Sequence, residues 1–152
     1  MQLNTSPPLH VLSFSVRTTL ADLGKYGVTV PKQLYAEAAL LGLLVTGPLR
    51  WRYLGADGRR DTVFTLQIGL PVERPAHPTE GILFSFEEWP AFYGLAQIHE
   101  GPWELLHETY GKGIEWLLHE GYTIGPEARE SYLNVDLVVP AFHRTEVHIG
   151  IV

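Results

Sequence analysis

The stretch RESYLN, Arg129 to Asn134, echoes an earlier one, RWRYLG, Arg50 to Gly55. Both alternate in the manner of a strand with one face turned inward. Aligned, they set Glu130 against Trp51 and Tyr132 against Tyr53. A second echo, QIGL (Gln67 to Leu70) and HIGI (His148 to Ile151), ends the strands that follow. The repeat distance of roughly 80 residues reads as an internal duplication.

The elements around each echo recur in one order. LHVLSFSV, Leu9 to Val16, alternates as a first strand after a Pro-Pro lead-in, and VRTTLADLGKYG is an irregular link. PKQLYAEAALLGLLV then spaces Leu34, Ala38, Leu41 and Val45 for one helical face, with Pro31 in the first turn and Gly47-Pro48 as the stop. LRWRYLG is a strand, GADGR a hairpin turn, and DTVFTLQIGLPV a long strand. The Pro-rich PVERPAHPTEG reads as a linker, unsuited to the interior of a sheet or helix.

The second half starts again with strands in GILFSFEEW and FYGLAQIHE. GPWELLHETYGKGIEWLLHEG spaces Trp103, Leu106, Tyr110, Ile114 and Leu117 for a second helix, with Pro102 near its start and Gly111 and Gly113 weakening it. ARESYLNV and TEVHIGIV close the chain as strands, joined by the loop DLVVPAFHR. The reading is one domain, 1–152, with pseudo-repeat halves of about 9–72 and 81–152. Its fold class is α+β: a duplicated strand-helix-strand-strand unit forming one curved antiparallel sheet. Two helices are expected on one face and a ligand groove on the other.

Composition narrows the function. Hydrophobic residues make up 45% of 152 residues, enough for a buried core, and the charge is −6 with no dense run of Lys or Arg. Direct nucleic-acid binding is therefore not expected, and a cationic ligand is compatible. The absence of cysteine excludes disulfides, thiolate metal sites and a Cys nucleophile. No basic segment followed by a long apolar core opens the chain, and AEAALLGLLV is too short to span a bilayer, so a cytoplasmic protein without membrane association is expected.

Alternation places Trp51 and Tyr53 on one face of their strand and Arg50, Arg52 and Leu54 on the other. Through the duplication, Trp51, Tyr53, Glu130 and Tyr132 share a face near the seam between the halves. Three aromatics around one carboxylate suit a cationic or polar aromatic guest. A desolvated Glu130 would also suit the role of general base. The plainer reading has the aromatics as packing residues and Glu130 paired with Arg52 or Arg129.

Other constellations are weaker. His99, His107 and His119 each precede a Glu, but none has the spacing of a metalloprotease helix, and surface positions and no metal are expected. There is no phosphate loop or nucleophile elbow, and no cofactor is expected. Trp103 and Trp116 read as core or rim, and Glu146 as part of an exposed strand face.

The segments HEGPWELLHETYGKGIEWLLHEGY, RESYLN, TEVHIGIV, VPKQLYAEA and GPLRWRYLG, in their order, resemble the gyrase-inhibitor-like (GyrI-like) small-molecule-binding family. That family includes the effector-binding domains of multidrug-sensing transcription regulators. The resemblance spans almost the whole chain. It implies a groove for hydrophobic, often cationic aromatic compounds, with Glu130 as its glutamate and Tyr132, Tyr53 and Trp51 as its aromatics.

Regulators of the family carry a DNA-binding helical region before this domain, whereas a strand here begins within about ten residues of the start. The resemblance thus implies a chain that does not regulate transcription alone, with a separate protein partner as an option. Three functions are compatible with it. The first is binding of xenobiotic or effector molecules. The second is hydrolysis of cyclopropane-containing electrophilic toxins, with Glu130 as catalytic base, Tyr53 or Tyr132 polarising the leaving group and Trp51 as a stacking wall. The third is a protein interaction such as topoisomerase modulation.

Overall fold

In the computed structural model, which describes residues 1–76 and 83–152, eight strands form one antiparallel sheet. They are β1 (Gln2–Ser6), β2 (Leu9–Thr18), β3 (Arg50–Leu54), β4 (Phe64–Pro71), β5 (Ser85–Trp89), β6 (Phe92–Glu100), β7 (Ile124–Asn134) and β8 (Arg144–Ile151). Among the described residues there are two α-helices, α1 (Thr29–Leu40) and α2 (Leu106–His119). The fold is α+β, as expected. Residues 77–81 of the Pro-rich linker and 81–82 of GILFSFEEW lie outside the described residues.

The strand order β1-β6-β8-β7-β3-β4-β2-β5 mirrors itself about the β3/β7 pair, so the duplication is written into the sheet. Trp51 faces Ile68 on one side, and Glu130 faces Val147 on the other. The two echoes therefore sit in different registers: Ile68 corresponds to Val147, and HIGI lies two residues beyond the true counterpart of QIGL. Parity survives a shift of two, so Trp51, Tyr53, Glu130 and Tyr132 share one face of the sheet, as expected.

β1 was not expected, being polar and mostly exposed. It pairs with β6 from Gln2 opposite Ala96 to Ser6 opposite Phe92, and β2 pairs with β5 from Leu9 opposite Trp89 onward. Both stretches keep one register across Pro7-Pro8 and Pro90-Ala91, so β1-β2 and β5-β6 are two long strands broken at proline. Since β1 and β5 end the sheet on opposite sides, this shared ladder curls the sheet until its ends meet. Pro71, shared in the reading by the strand DTVFTLQIGLPV and the linker, is the last residue of β4, opposite Val11.

Both helices cover one face. α1 buries Val30, Leu34 and Ala38 against Leu66, Ile68 and Leu70, and α2 buries Leu117 against Leu95, Val147 and Ile149. α1 stops five residues short of Val45. Gly42 takes a left-handed conformation (φ 65°), so that Leu43 N donates to Ala38 O and Gly42 N to Ala39 O. That pattern closes the helix and sends Val45 away to bridge Val72. The segment VRTTLADLGKYG contains a 3-10 turn at Leu20–Lys25. The second helix begins as a 3-10 turn, Trp103–Leu105, and leaves Trp103 and Ile114 exposed at its rim.

The opposite face is filled rather than grooved. Where β5 passes into β6, Trp89 (1% exposed) and Phe92 lie across the seam. Gly69 makes room for the indole, since a Cβ there would stand 2.7 Å from it. The expected groove on the face away from the helices is thus corrected. The β5-β6 crossing covers that face, and the candidate site residues lie on the helix face.

Candidate functional site

The seam pair β3/β7 sets Trp51 directly opposite Glu130 and Tyr53 opposite Ala128. Cross-strand partners share a face, so Trp51, Tyr53, Glu130 and Tyr132 come together under the helices. Glu130 is 4% exposed. Its Oε1 accepts hydrogen bonds from Tyr132 Oη at 2.5 Å and Tyr53 Oη at 3.2 Å, and its Oε2 accepts one from Tyr110 Oη at 2.6 Å. A carboxylate has about four acceptor sites, so three hydroxyls nearly saturate it.

Two opposing effects set its charge. Burial pushes the Glu130 carboxyl above its ordinary range, while the Tyr110, Tyr132 and Tyr53 hydroxyls pull it back down. The net direction is upward. All three phenols are pushed well above their ordinary values, first by burial and then by the Glu130 charge, so they stay donors. Around this cage Trp51 meets Tyr132 edge-on at 6.1 Å, and Trp103 meets Tyr132 edge-on at 5.8 Å.

Arg52 and Arg129 do not pair with Glu130. They face each other on the opposite side of the seam, where Glu127 accepts two bonds from Arg52 (3.0 Å each) and one from Arg129 (2.6 Å). Strand parity enforces this: Glu127 shares the arginines' face, and Glu130 does not. Arg129 also donates to Pro90 O at 3.1 Å and lies over the Phe92 ring. This cluster fastens the β5-β6 crossing to the seam.

Sequence reasoning placed Tyr110 and Trp103 on a helical packing face and missed their place at the cage. The missed signal was a phenol on the helix that covers a strand carboxylate. His99 was expected at the surface but is 6% exposed. Its Nε2 meets the Pro102 carbonyl at 2.9 Å, which accepts only, so Nε2 carries the proton; Nδ1 meets Thr109 Oγ1 at 2.6 Å. Among the described residues no three His, Asp or Glu side chains are grouped to hold a metal ion, and no helix is long and apolar enough to cross a membrane.

A mirrored eight-stranded sheet with two helices on one face is the GyrI-like fold, and solved structures share it. No family model and no curated protein matches the chain. The EcmrR C-terminal domain superimposes with a TM-score of 0.79 at 19% identity, over 99% of this chain and 96% of that one. EcmrR in its DNA complex gives 0.79 at 21% identity and 99% coverage, but the chain spans only 56% of that longer protein. SAV2435 bound to tetraphenylphosphonium gives 0.65 at 10% identity, over 99% and 93% of the two chains. A hydrolase from Listeria innocua gives 0.67 at 14% identity, over 99% and 92%.

Proposed function

We propose that this protein binds hydrophobic, aromatic or cationic small molecules at the Glu130 cage. The observation that carries this reading is a single buried carboxylate, held by three tyrosine hydroxyls and bordered by Trp51 and Trp103. Burying an ionisable group with no counter-charge opposes stability, and a cation arriving from outside supplies the missing charge. Flat rings around the carboxylate add cation–π attraction and apolar area. The half-buried Tyr110 and Tyr132 are the approach to it. The bound tetraphenylphosphonium of SAV2435 is a guest of this chemistry on the same fold.

Titration with tetraphenylphosphonium, read by tryptophan fluorescence, tests the proposal. At an effective dielectric of about 20 and a separation of about 7 Å, the carboxylate contributes roughly 2 kcal/mol, so Glu130→Gln should weaken binding about 30-fold. Neutral triphenylphosphine oxide should lose little. Equal affinity of wild type and Glu130→Gln for the cation sinks the reading.

The raised Glu130 carboxyl favours a second reading, hydrolysis of a cyclopropane-containing electrophile. Glu130 would take a proton from water as the oxygen attacks a ring carbon, and the electron pair of the broken ring bond would leave onto a conjugated acceptor. Three hydroxyls already on the carboxylate disfavour this, because water must find the one remaining acceptor site. Wild-type turnover of such a compound, abolished in Glu130→Gln, would establish it over simple binding.

A further inference from the structure

Beside the cage lies a second feature that the Glu130 chemistry does not use. Trp103 stacks face to face on His143, with ring centroids 4.1 Å apart and planes within 5°. The same indole meets Tyr132, so an unbroken run of rings leads from Glu130 to the β7-β8 loop.

The loop is apolar and stiffly held. Asp136 Oδ1 accepts from Val138 N and Val139 N, at 2.9 and 2.8 Å. Asp136 N donates to His143 Nδ1 at 3.1 Å, and Asn134 Nδ2 donates to Phe142 O at 2.8 Å. The one carboxylate of the loop is thereby taken up by backbone N–H groups of its own turn, while Leu137, Val138 and Phe142 are 85, 88 and 62% exposed. Between the loop and the end of β6 is a depression of about 170 Å³ lined by Glu100, Ala141, Phe142, His143 and Arg144. Arg144 and Glu100 meet across its rim at 3.6 Å.

We infer that this depression is a second subsite, for an aromatic ring that a cationic ligand carries on a flexible arm. The inference rests on the cage reading of Glu130. The depression is open on one side, and its volume is of the order of one ring, roughly the 150 Å³ of a closed cavity that takes up benzene. Its lining suits one as well: the Phe142 ring is 62% exposed, and Arg144 stands at the rim in its ion pair with Glu100. A ligand whose charge sits at Glu130 lays its arm along Trp103, and its terminal ring reaches Phe142. The ligand class is an organic cation with a tethered aryl group, rather than a compact cation.

Two probes test the assignment: methyltriphenylphosphonium and (6-phenylhexyl)triphenylphosphonium, measured by calorimetry on the full chain. The phenylhexyl arm should raise wild-type affinity about tenfold, the gain for burying one ring. Phe142→Ser, at an exposed position, and Ala141→Trp, which fills the depression, should both reduce that increment to about twofold or less and leave methyltriphenylphosphonium unchanged. Glu130→Gln should weaken both probes alike. An increment that is absent in wild type, or that survives both loop variants, overturns the subsite. If Glu130→Gln alters neither probe while the loop variants remove the increment, the cage reading fails and the ring subsite stands.

Discussion

Tyr132→Phe isolates the hydroxyl that approaches Glu130 most closely, and its effect depends on pH in a way that a packing change would not. The bond is 2.5 Å long, and its acceptor passes from the neutral to the charged form as pH rises through its raised native value. A hydrogen bond to a charged group contributes about 2 kcal/mol, and one to a neutral carboxyl about 1 kcal/mol. In the wild type, burial raises the native Glu130 carboxyl above its unfolded value. As pH rises from the ordinary carboxylate range, the unfolded chain loses its proton first, so Glu130 lowers stability until its native form also ionises. Removing the hydroxyl raises the native value further, and the decline continues to higher pH. Urea denaturation should show a loss of about 1 kcal/mol near pH 4.5, growing to about 2 kcal/mol near pH 8. In a Glu130→Gln background the loss should stay near 1 kcal/mol at both pH values. An equal loss at both pH values in the wild-type background would refute the idea that Tyr132 holds an ionised carboxylate.

Other perturbations test the scaffold behind the cage. Burial opposes the Glu127 charge, but the Arg52 and Arg129 bonds outweigh it and hold the carboxyl below its usual range. The stability it contributes is present above the unfolded carboxylate range and lost as pH falls through the lowered native value. Glu127→Gln leaves two guanidiniums face to face and should cost about 3 kcal/mol at neutral pH, read by urea denaturation, with the difference shrinking in acid. Gly69→Ala pushes a methyl into the Trp89 indole and should cost about 1–3 kcal/mol, with a lower thermal midpoint that Trp89→Leu partly restores.

What could be read from the sequence depended on whether the determining contact was local. Parity in RWRYLG and RESYLN placed Trp51, Tyr53, Glu130 and Tyr132 on one face, because alternation is a property of the strand itself. The end of α1 was misread although Gly42 marks it: a helical spacing through Val45 outweighed a single glycine. β1 was invisible, since QLNTS has little apolar pattern and forms its strand by pairing with β6, far away in sequence. The groove was assigned to the wrong face because only the β5-β6 crossing decides which face is filled. Tyr110 could be placed on a helix face but not over Glu130, since that depends on how α2 docks on the sheet.

The position of the carboxylate follows from the duplication itself. At a pseudo-twofold seam, equivalent positions on β3 and β7 face one another, and the register pairs Trp51 with its own counterpart, Glu130. A faithful repeat would place two tryptophans or two glutamates directly opposite on a buried face. Two glutamates could not both ionise at that distance, and two tryptophans would leave the tyrosine hydroxyls without an acceptor. Only divergence at this pair gives one carboxylate against one aromatic wall. Tyr53 and Tyr132, by contrast, remain alike in both halves, and their hydroxyls converge on the same oxygen of Glu130. The symmetric part of the repeat thus supplies matched donors from both halves, and its single broken pair supplies the charge they surround. A site of this kind belongs at the seam, because nowhere else in the sheet does a residue meet its own equivalent.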